Sequence, residues 1–210
     1  MTGEMGGGES DGEVCHMKKR GICLLLAAVM LCCAACGSRQ TTEGGGEKDR
    51  YMTDPVPEGK PAPVEPQDSN VDADTKYTCT ISISCETILD NMDKCAESKK
   101  ALVPEDGIIL PATEVTFSDG ESVYDVLQRV CKANKIHMES SFTPVYNSAY
   151  IEGIHNLYEF DVGKLSGWMY AVNGWYPNYG CSRYQVKDGD VVEWRYTCDL
   201  GYDLGSGMGG

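Results

Sequence analysis

The densest chemistry in the chain lies between Ser166 and Cys181, which reads Ser-Gly-Trp-Met-Tyr-Ala-Val-Asn-Gly-Trp-Tyr-Pro-Asn-Tyr-Gly-Cys. Trp168, Tyr170, Trp175, Tyr176 and Tyr179 crowd into this one segment. Trp168, Tyr170 and Val172 alternate, so they share one face of a strand. Asn173-Gly174 starts a turn, which puts Trp175, Tyr176, Pro177 and Tyr179 on the loop beyond it. Gly167, Gly174 and Gly180 permit close backbone approach or a positive φ. Aromatic side chains on a loop are costly to leave in water. They either fold back on the sheet or wait for a flat partner, held by stacking and hydrogen bonds. The ligand-binding set expected of this region is Leu165, Ser166, Tyr170, Trp175, Tyr176 and Tyr179.

Other chemistry has little material. The chain holds three His (His16, His137 and His155) and lacks a Gly-x-Ser-x-Gly elbow, a phosphate loop and a His-Glu-x-x-His pair, so an enzyme is not expected. His155 reads as a structural residue at a strand start. Asp188-Gly189-Asp190 reads as a tight turn, because the spacing of a calcium loop is missing. A net charge of −14 repels phosphate backbones and argues against nucleic acid as a partner.

The elements that position the aromatic segment follow from periodicity. Tyr77 to Cys85 alternates, with Cys79, Ile81, Ile83 and Cys85 on one face, as in a half-buried strand. Residues 87–99 carry a weak helical pattern. Pro104 to Pro111 reads as a loop, and Val115 with Phe117 as a short strand. Ser122 and Asp125 have capping-box spacing. Val123, Val126, Leu127, Val130 and Cys131 then form one apolar helical stripe, with Asn134 as terminator. Strand-like runs follow at Ile136–Phe142, Ile154–Phe160, Trp168–Val172 and Val191–Cys198. In the last, Val192, Trp194, Tyr196 and Cys198 share the inward face. One main helix against four or five strands is α+β: a mixed or antiparallel curved sheet gripping the helix.

Cys79, Cys85, Cys95, Cys131, Cys181 and Cys198 lie in this domain. Their even number in an exported chain predicts a disulfide-stapled fold. Cys181–Cys198 is the favoured bridge, and Cys131 could reach the face carrying Cys79 and Cys85. No Cys-x-x-Cys pair occurs among these six, so no metal site is expected.

The front of the chain is an address. From Met17, the basic Lys18, Lys19 and Arg20 precede an apolar run from Ile22 to Leu31. Small residues then end at Ala34-Ala35-Cys36. This is a signal peptide over 17–35, too short for an ordinary membrane span. It resembles the lipobox of bacterial lipoproteins, which implies lipidation at Cys36, although Cys33 stands where Leu is usual. The Gly- and Glu-rich residues 1–16 read as a mis-assigned upstream extension, with Met17 as initiator. Residues 36–74 have almost no large apolar side chain and read as a disordered tether with a span of roughly 35 Å. The folded domain is placed at 75–204 and a loose tail at 205–210.

The segment Ser166–Gly180, together with Tyr184 and Lys187-Asp188-Gly189-Asp190-Val191-Val192-Glu193-Trp194-Arg195-Tyr196, resembles the transcobalamin-like C-terminal domain. This is a bacterial domain-of-unknown-function family found in surface proteins and lipoproteins, mostly of Firmicutes. Pro104-x-Asp106-Gly107-x-Ile109-Leu110 and Tyr158-Glu159-Phe160 carry the same resemblance, which spans about 75–204. It implies a β-grasp-like fold. In the vertebrate relatives, intrinsic factor and transcobalamin, this domain covers one face of cobalamin against a helical barrel. Here only the tether is expected to precede the domain, so the domain offers half a clamp. The reading is a lipid-anchored ligand-binding protein on the extracytoplasmic face of the cell membrane of a Gram-positive bacterium. Its ligand would be cobalamin or another corrinoid. The alternative is a non-catalytic envelope module that contacts protein or glycan.

Overall fold

The computed structural model describes residues 47–206. The upstream extension, the signal peptide and Cys36 lie outside the described residues, as do Gly207–Gly210.

Among the described residues, seven strands and two α-helices make an α+β fold. In chain order they are β1 (Asp72–Ser84), α1 (Glu86–Leu89), β2 (Ile108–Asp119), α2 (Val123–Asn134), β3 (Met138–Thr143), β4 (Ser148–Ile154), β5 (Leu157–Tyr158), β6 (Gly167–Val172) and β7 (Val191–Thr197). One sheet runs β2-β1-β7-β6, and a smaller one runs β3-β4-β5. The central pair β1–β7 is parallel, with Ile81 beside Val192 and Ile83 beside Trp194. Its flanks, β1–β2 and β6–β7, are antiparallel.

The core forms where the periodicities predict. Cys79, Ile81 and Ile83 of β1 and Val192, Trp194 and Tyr196 of β7 are buried with the whole α2 stripe from Val123 to Cys131. Burying one large apolar side chain contributes about 1.5–3 kcal/mol, so this set dominates the stability. The α2 cap is reciprocal: the Asp125 amide donates to Ser122 Oγ at 3.3 Å, and the Ser122 amide donates to Asp125 Oδ2 at 2.8 Å. Asn134 closes the helix, and Lys135 turns left-handed at φ 56°.

Four segments differ from expectation, the first being β4 over Ser148–Ile154, which the pattern left unassigned. Ile108–Pro111 belongs to β2 rather than to a loop. β2 lies at the sheet edge, where a proline need not donate, and the pairing shifts register beside Pro111. The strand run read over 154–160 is interrupted at His155-Asn156, whose φ of 56° and 59° make the two-residue turn between β4 and β5. That turn lacks the Asn-Gly pair that announces such hairpins. The helical pattern over 87–99 yields only the single turn of α1.

The disulfide expectation is corrected. All six domain cysteines are unpaired, Cys181 and Cys198 included. Five are buried side chains of the core, on elements that hold them as small apolar residues. Burial pushes the Cys131 thiol up to about 12 and those of Cys79 and Cys198 to about 11. The thiolates that disulfide exchange requires are therefore disfavoured.

Trp168 begins β6, is buried, meets Tyr196 edge-on at 5.2 Å and donates from Nε1 to the Leu157 carbonyl at 2.8 Å. This bond ties the two sheets together. Trp168→Ala is expected to cost about 3–5 kcal/mol, measured as a fall in the urea midpoint. Thiol titration of denatured, unreduced protein should find all six domain cysteines reactive, and reductant should leave the melting temperature unchanged.

Candidate functional site

The aromatic loop is built on a turn. Asn173 and Gly174, at φ 52° and 73°, reverse the chain so that Val172 and Trp175 exchange backbone hydrogen bonds at 2.8 and 3.0 Å. The Asn173 side chain fixes the turn to β7, donating to Asp190 Oδ1 at 2.7 Å and accepting from the Val191 amide at 2.9 Å. Trp175 therefore returns over the sheet. It lies 6.0 Å from Tyr179 and 6.4 Å from Tyr184, and Tyr179 stacks on Tyr184 at 6.1 Å. Beneath them the Tyr170 hydroxyl donates to the Tyr179 carbonyl at 2.7 Å. Burial drives the Tyr170 phenol well above its usual range, so it stays a neutral donor. A Cβ on Gly180 would strike the Ser148 side chain, so this glycine lets the loop lie against β4. Of the predicted set, Tyr170 and Tyr179 are thus packing residues. Trp175 is half-covered, and the Tyr176 hydroxyl accepts from Arg195 at 3.2 Å.

What covers this loop is the segment read as tether. The disordered expectation for 36–74 differs from the structure between Asp49 and Val71, where the chain is laid across the domain. The reason is Arg183. Its guanidinium, 1% exposed, donates from one Nη to Thr53 Oγ1 at 2.6 Å and from the other to Asp49 at 2.7 Å and Glu65 at 2.6 Å. The Arg183 carbonyl accepts from the Val64 amide at 2.8 Å. The Tyr179 hydroxyl donates to the Pro61 carbonyl at 2.7 Å, Asn178 donates to the Asp54 carbonyl at 3.0 Å, and the Lys60 ammonium sits 5.3 Å above the Trp175 ring. The apolar side chains of the strap are at most half-buried, Tyr51, Val56 and Val64 among them, and Val56 packs against the core. Polar contacts to Arg183, Tyr179 and Asn178 hold it beside this partial burial.

The opposite end of β6 has a different character. Loops 160–166 and 199–204 are joined by a bond from the Leu200 amide to the Leu165 carbonyl at 2.9 Å. The Asp203 carboxylate gathers the second loop, accepting from the Cys198 amide at 2.7 Å. Four large side chains stand in water here: Phe160 at 61%, Leu165 at 45%, Leu200 at 40% and Tyr202 at 61% exposed. Phe160 and Leu200 also hold left-handed backbone, at φ 68° and 48°. Bulky residues seldom do this, and each costs about 1–2 kcal/mol. The adjoining cleft of about 450 Å³ is lined by Lys94, Val162, Lys164, Leu165, Cys198 and Asp199, among others. Ser166 lies beneath as structure: its hydroxyl donates to the Gly163 carbonyl at 2.8 Å and is 3.0 Å from the Tyr196 hydroxyl.

The structure therefore divides the predicted set. A six-residue strand spans roughly 20 Å, and Leu165 sits at one end of β6 with Trp175, Tyr176 and Tyr179 at the other. In sequence Phe160 reads as the end of a strand, and Leu200 and Tyr202 fall within the folded domain without a binding role, since pattern does not report which apolar side chains stay in water. The left-handed backbone that exposes them is invisible to periodicity. His137 pairs with the Tyr158 hydroxyl at 2.8 Å, and His155 forms a turn. Among the described residues no cluster of three or more His, Cys, Asp or Glu is placed to hold a metal.

Residues 120–198 match the profile of a family described as Domain of unknown function (DUF4430). The chain is similar to haptocorrin, solved in complex with Cbi, at 17% identity and a TM-score of 0.45, covering 62% of this chain and 27% of that one. It is also similar to a protein from Ruminococcus gnavus ATCC 29149, provisionally described as metal binding. There the identity is 18% and the TM-score 0.31, covering 59% of this chain and 96% of that one. The chain thus spans about a quarter of the haptocorrin chain. No curated protein matches it.

Hydrogen bonds from the Thr53 amide and from Arg183 outweigh the opposing effect of burial and hold the Asp49 carboxyl near 2, below its ordinary 3.8. A depressed carboxylate stabilises the fold above its unfolded pKa, and that contribution is lost as the pH falls through the folded one. Strap anchoring should therefore be complete above about pH 4 and fade between pH 4 and 2, seen as a change in tryptophan emission that Asp49→Asn removes. Arg183→Ala should cost about 1–3 kcal/mol, less than for a fully buried pair because both carboxylates are partly hydrated.

Proposed function

We propose that the protein is a lipid-anchored, extracytoplasmic ligand-binding module whose binding surface is the rim of loops 160–166 and 199–204. One observation carries this reading: Phe160 and Leu200, on adjacent loops, keep bulky apolar side chains in water on left-handed backbone. Both features oppose folding, and neither is repaid by packing within the domain. A site that trades stability for an exposed apolar surface is a binding site. The ligand class favoured by the sequence resemblance is a corrinoid, whose broad flat ring suits an open rim of Phe160, Leu165 and Tyr202. The packing of one helix on a sheet with a central parallel pair supports the β-grasp-like family reading. The Ala34-Ala35-Cys36 boundary supports a diacylglycerol anchor on Cys36, which would keep this surface at the outer face of the membrane.

A second reading, an envelope interaction module, is favoured by the β3–β4 hairpin. Phe142, Val145, Tyr146 and Tyr150 are each 45–60% exposed there, an apolar edge suited to another protein.

Titration of the mature protein with cobalamin and with cobinamide, followed by tryptophan quenching, separates the two readings. Saturable quenching is expected, and Phe160→Gly should weaken it at least tenfold. The same change should leave stability unchanged or raise it by about 0.5–1 kcal/mol, because glycine relieves the left-handed strain. Absence of quenching by either corrinoid would turn attention to the hairpin. Cys36→Ala should move the protein from the membrane fraction to the soluble one.

A further inference from the structure

The strap is a bound ligand in all but connectivity. From Asp54 to Pro66 it reads Asp-Pro-Val-Pro-Glu-Gly-Lys-Pro-Ala-Pro-Val-Glu-Pro, a proline-rich run without regular structure before Pro66. It crosses the face formed by Trp175, Asn178 and Tyr179. Aromatic grooves commonly take extended proline-rich segments, because such chains have little conformational entropy to lose and leave their carbonyls free to accept. Those are the contacts here: the Tyr179 hydroxyl reaches the Pro61 carbonyl, and Asn178 reaches the Asp54 carbonyl.

The fit is incomplete. Arg183 Nε is buried and has no hydrogen-bond partner among the described residues. The strap supplies two carboxylates and one hydroxyl to the Nη groups and nothing to this donor. Beside the same guanidinium a cleft of about 450 Å³ remains between the strap's own Tyr51, Met52 and Thr53 and the domain's Tyr146, Tyr150, Pro177 and Tyr179. An orphaned buried donor and an unfilled aromatic cleft mark a site larger than its resident occupant.

We propose that this face is a recognition site for an extended, proline-rich polypeptide segment of a partner protein, carrying carboxylates spaced to straddle Arg183. Residues 49–66 of the same chain fill it when no partner is present. Arg183 provides the selectivity, because its planar fork is matched by carboxylate oxygens and by little else in a proline-rich chain. The tryptophan and tyrosine rings provide the sequence-tolerant surface. The strap is displaceable because none of its apolar side chains is fully buried and Val56 packs only partly against the core, so its opening need not dismantle the core. The site lies at the other end of β6 from the proposed ligand rim, so each reading can fail without the other.

The test uses the mature chain with its strap weakened by Asp49→Asn and Glu65→Gln, leaving the domain face intact. The probe is a fluorescent synthetic peptide of residues 47–67. By anisotropy, the weakened protein should bind the wild-type peptide at least tenfold more tightly than a peptide carrying the same two amide substitutions. Failure to bind, or equal binding of both peptides, by protein with a native melting transition would overturn the proposal. If the weakened protein associates with itself and ignores the peptide, the occupant is a second copy, which also overturns it. Should that variant not fold, the wild type supplies the readout. Millimolar peptide must then compete with a tethered strap, and hydrogen exchange at the Val64 amide should quicken severalfold. Unchanged exchange at saturating peptide would sink the idea.

Discussion

The parallel pairing of β1 with β7 is the constraint on which the rest of the structure depends. These strands are separated by more than a hundred residues, yet they lie side by side at the centre of the sheet. Each presents alternate apolar side chains to α2, and neither could bury them without the other. Their pairing places β6 at one sheet edge, because β6 has only β7 to bond. It also brings the two ends of β6 to opposite ends of the domain. Closing so long a loop is entropically unfavourable, and the buried set of Ile81, Ile83, Val192, Trp194 and Tyr196 offsets it.

The two ends of β6 use aromatic and apolar residues in opposite ways. Past Val172, the Asn173-Gly174 turn folds Trp175 back, and a chain of rings from Trp194 through Tyr170 and Tyr184 to Tyr179 closes over the sheet. Before Gly167, strained loops push Phe160 and, across the sheet end, Leu200 outward. The first end lowers the exposed apolar area and the second raises it. Composition alone ranks the first end as the better binding site, since it holds more rings. Geometry reverses the ranking, because rings that touch one another and accept a strap have less surface left to offer.

Arg183 shows how a charged side chain can organise what the hydrophobic effect cannot. Residues 49–66 have too little apolar content to fold by burial. One cation, held out of water by the aromatic cluster, needs acceptors, and Asp49, Thr53 and Glu65 supply them. The result is a strap held largely by polar contacts on a domain held by apolar burial. Such asymmetry is what a displaceable segment requires.

Much of the fold was legible in the residues. The alternation of Cys79, Ile81 and Ile83, the stripe from Val123 to Cys131, the Ser122–Asp125 box and the runs at Trp168 and Val191 each determine a local element, because side-chain period reports backbone geometry directly. Trp168 was legible as an anchor and Asn173-Gly174 as a turn. What only the tertiary structure decided were properties that depend on distant partners. Whether Tyr179 faces water depends on Pro61 lying over it. The cysteines suggested staples by number, but bonding needs proximity, and their elements hold them apart as core residues. Phe160 and Leu200 acquired meaning from φ values that no periodicity records. The strap looked disordered because its own sequence lacks the means to fold. The means belong to Arg183, well over a hundred residues away from Asp49, and only the folded chain brings them together.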